Sequence, residues 1–450
     1  MSTDWPTGYQ NSPCGYCHNK LGSHPSSPYS PCLLFGLSGF SYYASTTSLA
    51  PEVYQSLIDR GWRRSGSLLY KPDQRNSCCP QYTIRLDSQS FRASKDQRQA
   101  LNRLNKHILG ERYSKEAARL YPFSRDKAKK RNTDFDLVER VHESERSELK
   151  TPPEPEHALQ VTLEADNFTE EKYVLFENYQ RLVHHEPPGR ISKSGFKNFL
   201  CSSPLPRSET SFDGKERKLG SYHQCYRIDG KLIAIGVLDL LPQCVSAVYF
   251  MYHESVNEFS FGKIGALREI ALAQEQGYKW WYAGFYIHNC VKMRYKGDYS
   301  PQYMLDSESY DWNLLDNGLK NKLSEKKYVS LSREKTIGEV SADAPVDEME
   351  TENKIHDGSD SDDDPPVLDP DAPLFSRNMP GILTKEQLLT EVDLDHVKLR
   401  IRGQKAQTCD LVSWYDGDVE DLASIKGIIG ELVSAVGPQV AQHMVVSFGG

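Results

Sequence analysis

An α+β fold is predicted for this 450-residue chain by three observations. β-rich runs between Gly220 and Tyr252 are joined by tight turns; a single helical stretch then leads to one returning strand; and a separate cysteine-bearing region precedes them all. The length is enough for two or three cores. With a mean hydropathy of -0.61, and apolar runs such as Leu232 to Leu241 far short of the ~18 residues a spanning helix needs, a soluble chain is expected.

In chain order, residues 8–91 form the cysteine-rich unit. Cys14-Gly15-Tyr16-Cys17 is a C-x-x-C knuckle, and Cys78-Cys79-Pro80 brings two more thiols about sixty residues on. Met1-Ser2-Thr3-Asp4-Trp5-Pro6 shows no secretory pattern, so a reducing, cytoplasmic or also nuclear setting is expected, and metal binding is favoured over disulfides. Four thiolates suit tetrahedral zinc or an iron–sulfur cluster, since soft sulfur donors select such metals. Adjacent cysteines on a strand face opposite ways, so Cys78 and Cys79 reach one ion only from a bend. His18, His24 and Cys32 are alternative ligands, and Cys78 or Cys79 as a small buried residue is the bland alternative. Cys201, Cys225, Cys244, Cys290 and Cys409 lie in apolar patterns and are expected in the core.

Residues 92–156 read as a basic helical linker. Between Arg92 and Arg131 stand 13 Lys/Arg against 4 Asp/Glu. Leu101, Leu104 and Ile108, then Ala117 and Leu120, have helical spacing, predicting a narrow apolar stripe under a cationic face that suits a phosphate backbone as well as plain solvent.

Residues 157–335 carry the regular pattern. Ser221 to Ile228 and Lys231 to Leu241 flank Asp229-Gly230, a two-residue hairpin signal, and Cys244 to Tyr252 follows Pro242. Gly262 opens a helix with Ile264, Leu267, Ile270 and Ala271 on one face, which ends near Gly277; Trp280 to Ile287 is the returning strand. A meander, a loop, a helix and a returning strand together predict an acetyltransferase-like (GNAT-type) catalytic domain.

Residues 336–372 contain the acidic insert. From Asp343 to Asp371 there are 12 Asp/Glu against Lys354 alone, with too few apolar residues to offset ordering entropy, so this part is expected to be disordered. The chain's net charge of -8 therefore hides a mildly basic body. Residues 373–450 are a carboxy-terminal extension, helical between Leu422 and Val436, expected to pack on the catalytic body.

Several of these segments carry a resemblance. Cys14-Gly15-Tyr16-Cys17-His18 with Cys78-Cys79-Pro80-Gln81-Tyr82, then Gly220-Ser221-Tyr222-His223-Gln224, Gly236 to Pro242, Ala266 to Ile270 and Lys292-Met293-Arg294-Tyr295-Lys296-Gly297 resemble, in that order, eukaryotic arginyl-tRNA:protein transferases. The match runs from about Cys14 to Asp306 and is weaker around Met379 to Gly381. It implies transfer of arginine from arginyl-tRNA to proteins beginning with Asp, Glu or oxidised Cys, which marks them for ubiquitin-dependent degradation, with a ubiquitin ligase as a further partner. It also implies the acetyltransferase fold shared with bacterial leucyl/phenylalanyl transferases. Asn289 and Val291 depart from the Ser and Pro of many relatives, and the acidic insert and long tail look fungal; these differences bear on specificity more than on activity.

The chemistry then sets requirements. The donor ester is already activated, so the site must align a neutral α-amine, stabilise an oxyanion and help a ribose hydroxyl leave. The donor's guanidinium needs a carboxylate: Asp239 first, then Glu269 and Asp298. The acceptor's acid needs cations, and Lys292, Arg294 and Lys296 would share one side of an extended run. His288 and His223 are the candidate proton acceptors. Tyr222 and Tyr252 could stack on the terminal adenosine, Arg268 could meet the tRNA end, and Gln224 and Tyr286 complete the candidate substrate-binding set. Two rivals remain: a zinc-ribbon RNA-binding protein, and a CoA-dependent N-acetyltransferase. Against the second, Phe259 to Gly265 lacks that family's pyrophosphate-cradling glycine pattern.

Overall fold

The computed structural model describes residues 2–17, 38–212, 214–342 and 372–448. His18, His24, Cys32 and the acidic stretch Asp343 to Asp371 lie outside the described residues. No helix among the described residues is long and apolar enough to cross a membrane.

The chain begins with β1 (Ser2–Pro13), β2 (Ser38–Ser48), α1 (Pro51–Ile58), β3 (Arg63–Ser65), β4 (Leu68–Pro72) and β5 (Tyr82–Asp87). The basic region follows as α2 (Lys95–Leu120), α3 (Arg125–Thr133) and α4 (Leu137–His142). Then come β6 (Leu159–Ala165), α5 (Glu170–Leu182), α6 (Lys193–Leu200) and β7 (Ser208–Phe212). The patterned centre is β8 (Lys215–Ile228), β9 (Lys231–Leu241), β10 (Cys244–Tyr252), α7 (Phe261–Gln276), β11 (Trp280–Tyr286) and α8 (Val291–Arg294). It passes into β12 (Gln302–Leu305), β13 (Trp312–Leu314), α9 (Asn317–Glu325) and α10 (Leu331–Ala342). The final part holds α11 (Lys385–Glu391), β14 (Lys398–Ile401), β15 (Gln404–Gln407), α12 (Val412–Tyr415), α13 (Ile425–Val436), α14 (Pro438–Ala441) and β16 (Val445–Phe448).

Two sheets organise these elements. One runs β13-β12-β5-β11-β10-β9-β8-β6, with β7 paired to β8. The Asp229-Gly230 hairpin forms where it is predicted, both residues taking positive φ, 51° and 80°, as a type I′ turn demands. α7 ends at Gly277, which adopts the left-handed conformation of a helix cap. One face of this sheet packs on α7 through Leu238, Leu240, Val245, Leu267 and Ile270.

The other sheet runs β15-β14-β16-β1-β2-β4-β3 and joins the two ends of the chain: β16 pairs in parallel with β1. The carboxy-terminal extension thus completes the amino-terminal sheet, beyond merely packing on the catalytic body. A shared core explains why: Trp62, Leu432 and Val433 cluster with Leu241, Cys244 and Tyr282 of the larger sheet. Conversely β5, expected within the cysteine-rich unit, pairs antiparallel with β11 from Tyr82–Tyr286 to Asp87–Trp280.

The basic linker is also part of the body. Leu101, Leu104 and Ile108 of α2 are buried in the core that contains α7. The stripe does not continue to Leu120, which is 48% exposed, because Gly110 takes φ 73° and breaks the helical register.

Candidate functional site

The larger sheet opens between β10 and β11. β10 and β11 pair in parallel over only Cys244–Trp280, Val245–Trp281 and Ser246–Tyr282. Beyond them β10 shifts register against β9 between Ala247 and Tyr249, and β11 shifts against β5 between Tyr282 and Gly284. Bulges re-aim strands, and here the two strands part to leave a crevice at the carboxyl ends of parallel neighbours, where α/β folds commonly bind ligands.

Several charged groups meet there. After β11, Met293 and Arg294 donate backbone N–H bonds to the Cys290 carbonyl at 2.9 and 2.8 Å, which starts a helical turn. The expected extended run of Lys292, Arg294 and Lys296 is therefore α8 followed by a 3-10 turn from Tyr295 to Asp298. Helical geometry spreads the three cations around the axis. Lys292 and Arg294 are exposed, the latter donating to the His288 carbonyl at 2.7 Å, and Lys296 turns inward. The Lys296 Nζ reaches the Phe285 carbonyl at 3.4 Å. It also stands 3.4 Å from where a Cβ on Gly284 would lie, a position 3.6 Å from the Ala247 carbonyl across the opening.

Glu269 of α7 is buried beneath this point and accepts the Trp281 indole N–H at 2.8 Å. Burial pushes its carboxyl up to about 7, against the opposing effects of the indole bond and of Lys296. Burial pulls Lys296 down to about 8, helped by the nearby Arg63 guanidinium. Arg63 enters from β3 of the other sheet, donating from Nη1 to Ser246 Oγ at 3.0 Å. Nothing in the sequence pattern singles it out except its place in Trp62-Arg63-Arg64, two adjacent cations beside a core tryptophan.

Other candidates are committed elsewhere. Asp239 is fully buried, and both its oxygens bind Arg64, at 2.8 Å from Nε and 2.5 Å from Nη2, with Ser221 Oγ as a further donor. A guanidinium of the chain itself thus fills the carboxylate expected to receive the donor's arginine. Asp298 is exposed in the turn after Lys296. Arg268 pairs with Glu145 at 2.5 Å and contacts His142 Nδ1 at 3.1 Å, so it fastens α7 to the end of α4 and is not free for a tRNA terminus.

Both candidate histidines are engaged by hydrogen bonds of the fold. His223 is completely buried, its Nε2 bonded to the Leu200 carbonyl at 3.0 Å, and burial pulls it down to about 4. His288 bridges Tyr286 Oη at 2.7 Å and Ser324 Oγ at 2.8 Å, and burial, Arg294 and Lys320 together bring it to about 4. Tyr222, His223 and Gln224 lie on β8, two strands from β10 and so roughly 10 Å from the opening. Tyr222 is a core residue and Gln224 accepts the Tyr226 hydroxyl at 2.7 Å. Tyr252, half-buried at the end of β10, packs edge-on against Tyr179.

The cysteine cluster adjoins the crevice. Cys14, Cys17, Cys78 and Cys79 bring their sulfurs within 4.8 Å of one another, and Cys17 and Cys78 Sγ are 3.5 Å apart. The bend needed to turn both adjacent cysteines inward is built by Asp73, whose Oδ1 accepts the Arg75 and Asn76 backbone N–H groups at 3.1 and 3.0 Å. Hydrogen bonds from Cys78 and Cys79 hold the Cys14 thiol far below its ordinary range, giving it the thiolate character that metal binding uses. Four sulfurs around one tetrahedral ion at ~2.3 Å stand just under 4 Å apart, a spacing the Cys17–Cys78 pair already meets, so the group could hold a metal. Pro80 leads straight into β5, the neighbour of β11, so the cluster braces one wall of the opening. A cavity of about 360 Å³ lined by Cys14, Tyr16, Tyr43, Tyr70 and Cys79 lies alongside, and the Tyr70 ring is 6.0 Å from that of Phe285.

Comparison with known proteins gives consistent results. Residues 12–99 match the family model described as arginine-tRNA-protein transferase, N terminus, and residues 171–306 the one described as its C terminus. The chain is 30% identical over 436 residues to arginyl-tRNA–protein transferase 1 of Drosophila melanogaster, covering 74% of this chain and 86% of that one. To the Saccharomyces cerevisiae protein of the same name it is 29% identical, with 67% and 61% covered. An aspartate/glutamate leucyltransferase of Stutzerimonas stutzeri is 29% identical, with 58% and 82% covered.

Proposed function

This chain belongs to the arginyl-tRNA–protein transferase family, and on that premise we propose that the crevice between β10 and β11 is where arginine passes from tRNA to a protein amino terminus. The chain is an aminoacyltransferase that takes arginine from arginyl-tRNA. Its acceptors are proteins beginning with Asp, Glu or oxidised Cys, which arginylation directs to ubiquitin-dependent degradation; a ubiquitin ligase is a proposed partner, and the cytoplasm and nucleus the proposed location.

The observation that carries the siting is the convergence of Lys296, Glu269 and Arg63 on the opening between β10 and β11. In the reaction the acceptor α-amine attacks the ester carbonyl, the carbonyl oxygen gains negative charge, and the ribose oxygen leaves with a proton. An α-ammonium has a pKa near ~8. A carboxylate poised at about 7 is matched to accept its proton, so Glu269 takes the role first sought in His288 and His223. Of the carboxylates considered for the donor guanidinium, Asp298 remains free to serve.

We read the sheet as acetyltransferase-type, supported by the β8-β9-β10 meander, the α7 crossover and the brief parallel pairing of β11. The cluster's short sulfur spacing favours one zinc ion over an iron–sulfur cluster, whose cysteines bind different irons and stand farther apart. When bound, the metal supplies structural closure of four ligands. Cys14 and Cys17 would thereby be tied to Cys78 and Cys79, fixing the start of β5 against β11.

Purified protein incubated with radiolabelled arginyl-tRNA should label peptides beginning Asp or Glu and leave those beginning Ala unlabelled, with no need for acetyl-CoA. Equal labelling of all three would refute an acid-selective crevice.

A further inference from the structure

Arg63 is 6% exposed, yet its Nε and Nη2 have no hydrogen-bond partner and its guanidinium meets no carboxylate among the described residues. Those two nitrogens form the side-on edge with which arginine grips a carboxylate bidentately. The next residue shows that edge in use: Arg64 holds the two oxygens of Asp239 by its own Nε and Nη2. On one short strand, then, one arginine has its acid built into the fold and its neighbour does not. An unpaired buried guanidinium is costly, and a fold that keeps one in a substrate crevice has a ligand to complete it.

Resting on the siting of the reaction between β10 and β11, we propose that Arg63 is the receptor for the acidic side chain of the acceptor's first residue, with Lys296 as the second cation. The guanidinium is tethered at Nη1 to Ser246, the last β10 residue paired with β11. The rings of Tyr282 and Phe285, each 5.6 Å away, flank it and fix its plane. Lys296 approaches the same gap past Gly284, where burial, helped by the Arg63 guanidinium, lowers its affinity for protons. The pocket is thus assembled from both sheets, Arg63 from the cysteine-bearing one and Lys296 from the catalytic one. It takes a carboxylate, or the sulfinate or sulfonate of oxidised cysteine, because each offers a delocalised anion with two oxygens to the fork. A neutral amide or a methyl side chain leaves the buried charges uncompensated and is rejected.

The test compares wild type, Arg63→Met, Arg63→Lys and Lys296→Met at saturating arginyl-tRNA, using peptides that differ only in an initial Asp, Asn or Ala. Arg63→Met should lose about 100-fold or more in kcat/KM for the Asp peptide, mainly through KM. Transfer to the Asn peptide, which forms no ion pair with the guanidinium, should fall far less, so the Asp/Asn preference collapses; Lys296→Met should narrow the same preference, and a preference it leaves intact would remove Lys296 from the pocket. Arg63→Lys should retain part of the preference, and affinity for arginyl-tRNA should be that of wild type. A preference kept by Arg63→Met while both peptides slow together would make Arg63 a structural residue and overturn the proposal. Should the methionine variant not fold, Arg63→Gln and Arg63→Lys decide by the same ratio. Failure of the wild type to use arginyl-tRNA would instead strike the proposed function itself.

Discussion

Arg64 and Asp239 form a two-bond ion pair, with their side chains 3% and 0% exposed, that pins β3 of one sheet to β9 of the other. Removing one partner of such a pair leaves an uncompensated buried charge and typically costs ~3–5 kcal/mol, whereas replacing both with apolar groups costs far less. Asp239→Asn should accordingly lower the melting temperature sharply, with activity falling in proportion to the folded fraction. Arg64→Met combined with Asp239→Leu should recover most of the stability. A variant at Asp239 that melts like wild type but no longer transfers arginine would return this carboxylate to a direct role in catalysis.

Glu269 ties stability and rate to pH with opposite signs. Its carboxyl is raised from 4.5 to about 7 by burial, so the fold favours the protonated form. That contribution is fully present below the unfolded value and is lost as pH rises through about 7, a change of roughly 3 kcal/mol. Glu269→Gln, permanently neutral, should flatten the decline in melting temperature over that window. As a base Glu269 works when ionised, so kcat/KM should rise through about 7 in the wild type, and this limb should vanish in the glutamine variant. An unaltered limb would place proton acceptance on another group.

The cysteine cluster should hold one zinc per chain when the protein is purified without oxygen, as read by elemental analysis alongside inorganic sulfide. Cys17→Ser and Cys78→Ser should each lose the metal and also weaken arginine transfer, since the loop before β5 would be released from β11. Iron accompanied by stoichiometric sulfide would show that the sulfurs rearrange around a cluster.

The cationic face of α2 and α3 is proposed to grip tRNA, but its charges are not equivalent. Arg131 is engaged by Glu139 at 3.2 Å and Glu143 at 2.6 Å, so it fastens α3 to α4. Lys106, Arg119, Lys129 and Lys130 are exposed. Replacing these four by Ala should raise the Kd for tRNA and flatten its dependence on salt by roughly 0.7 to 0.9 in log–log slope for each phosphate released. Arg131→Ala should instead reduce stability with little change in slope. Equal slopes in the wild type and the four-residue variant would make this face a solvated surface.

What the sequence alone determined are the features written locally. Hairpin chemistry at Asp229-Gly230, the β-rich runs of β9 and β10 and the apolar face and glycine cap of α7 name those elements nearly to the residue, whereas β8 begins at Lys215, ahead of the expected Ser221. The cysteine pairs name the four-sulfur cluster that could hold a metal ion, because C-x-x-C spacing is itself a geometric statement. Only tertiary structure decided which charges are spent. Asp239 and Glu269 look alike in sequence, yet one is neutralised by an arginine 175 residues away and the other is left to titrate near neutrality. Lys296 faces inward and Lys292 outward because a backbone turn at Cys290 replaced the expected strand. Arg63 acquires its place only when β3 docks across the two sheets, at the point where β10 and β11 separate. Long-range pairing sets both the desolvation and the partner of each charge, and those two quantities, more than residue type, fix what a buried ionisable group can do.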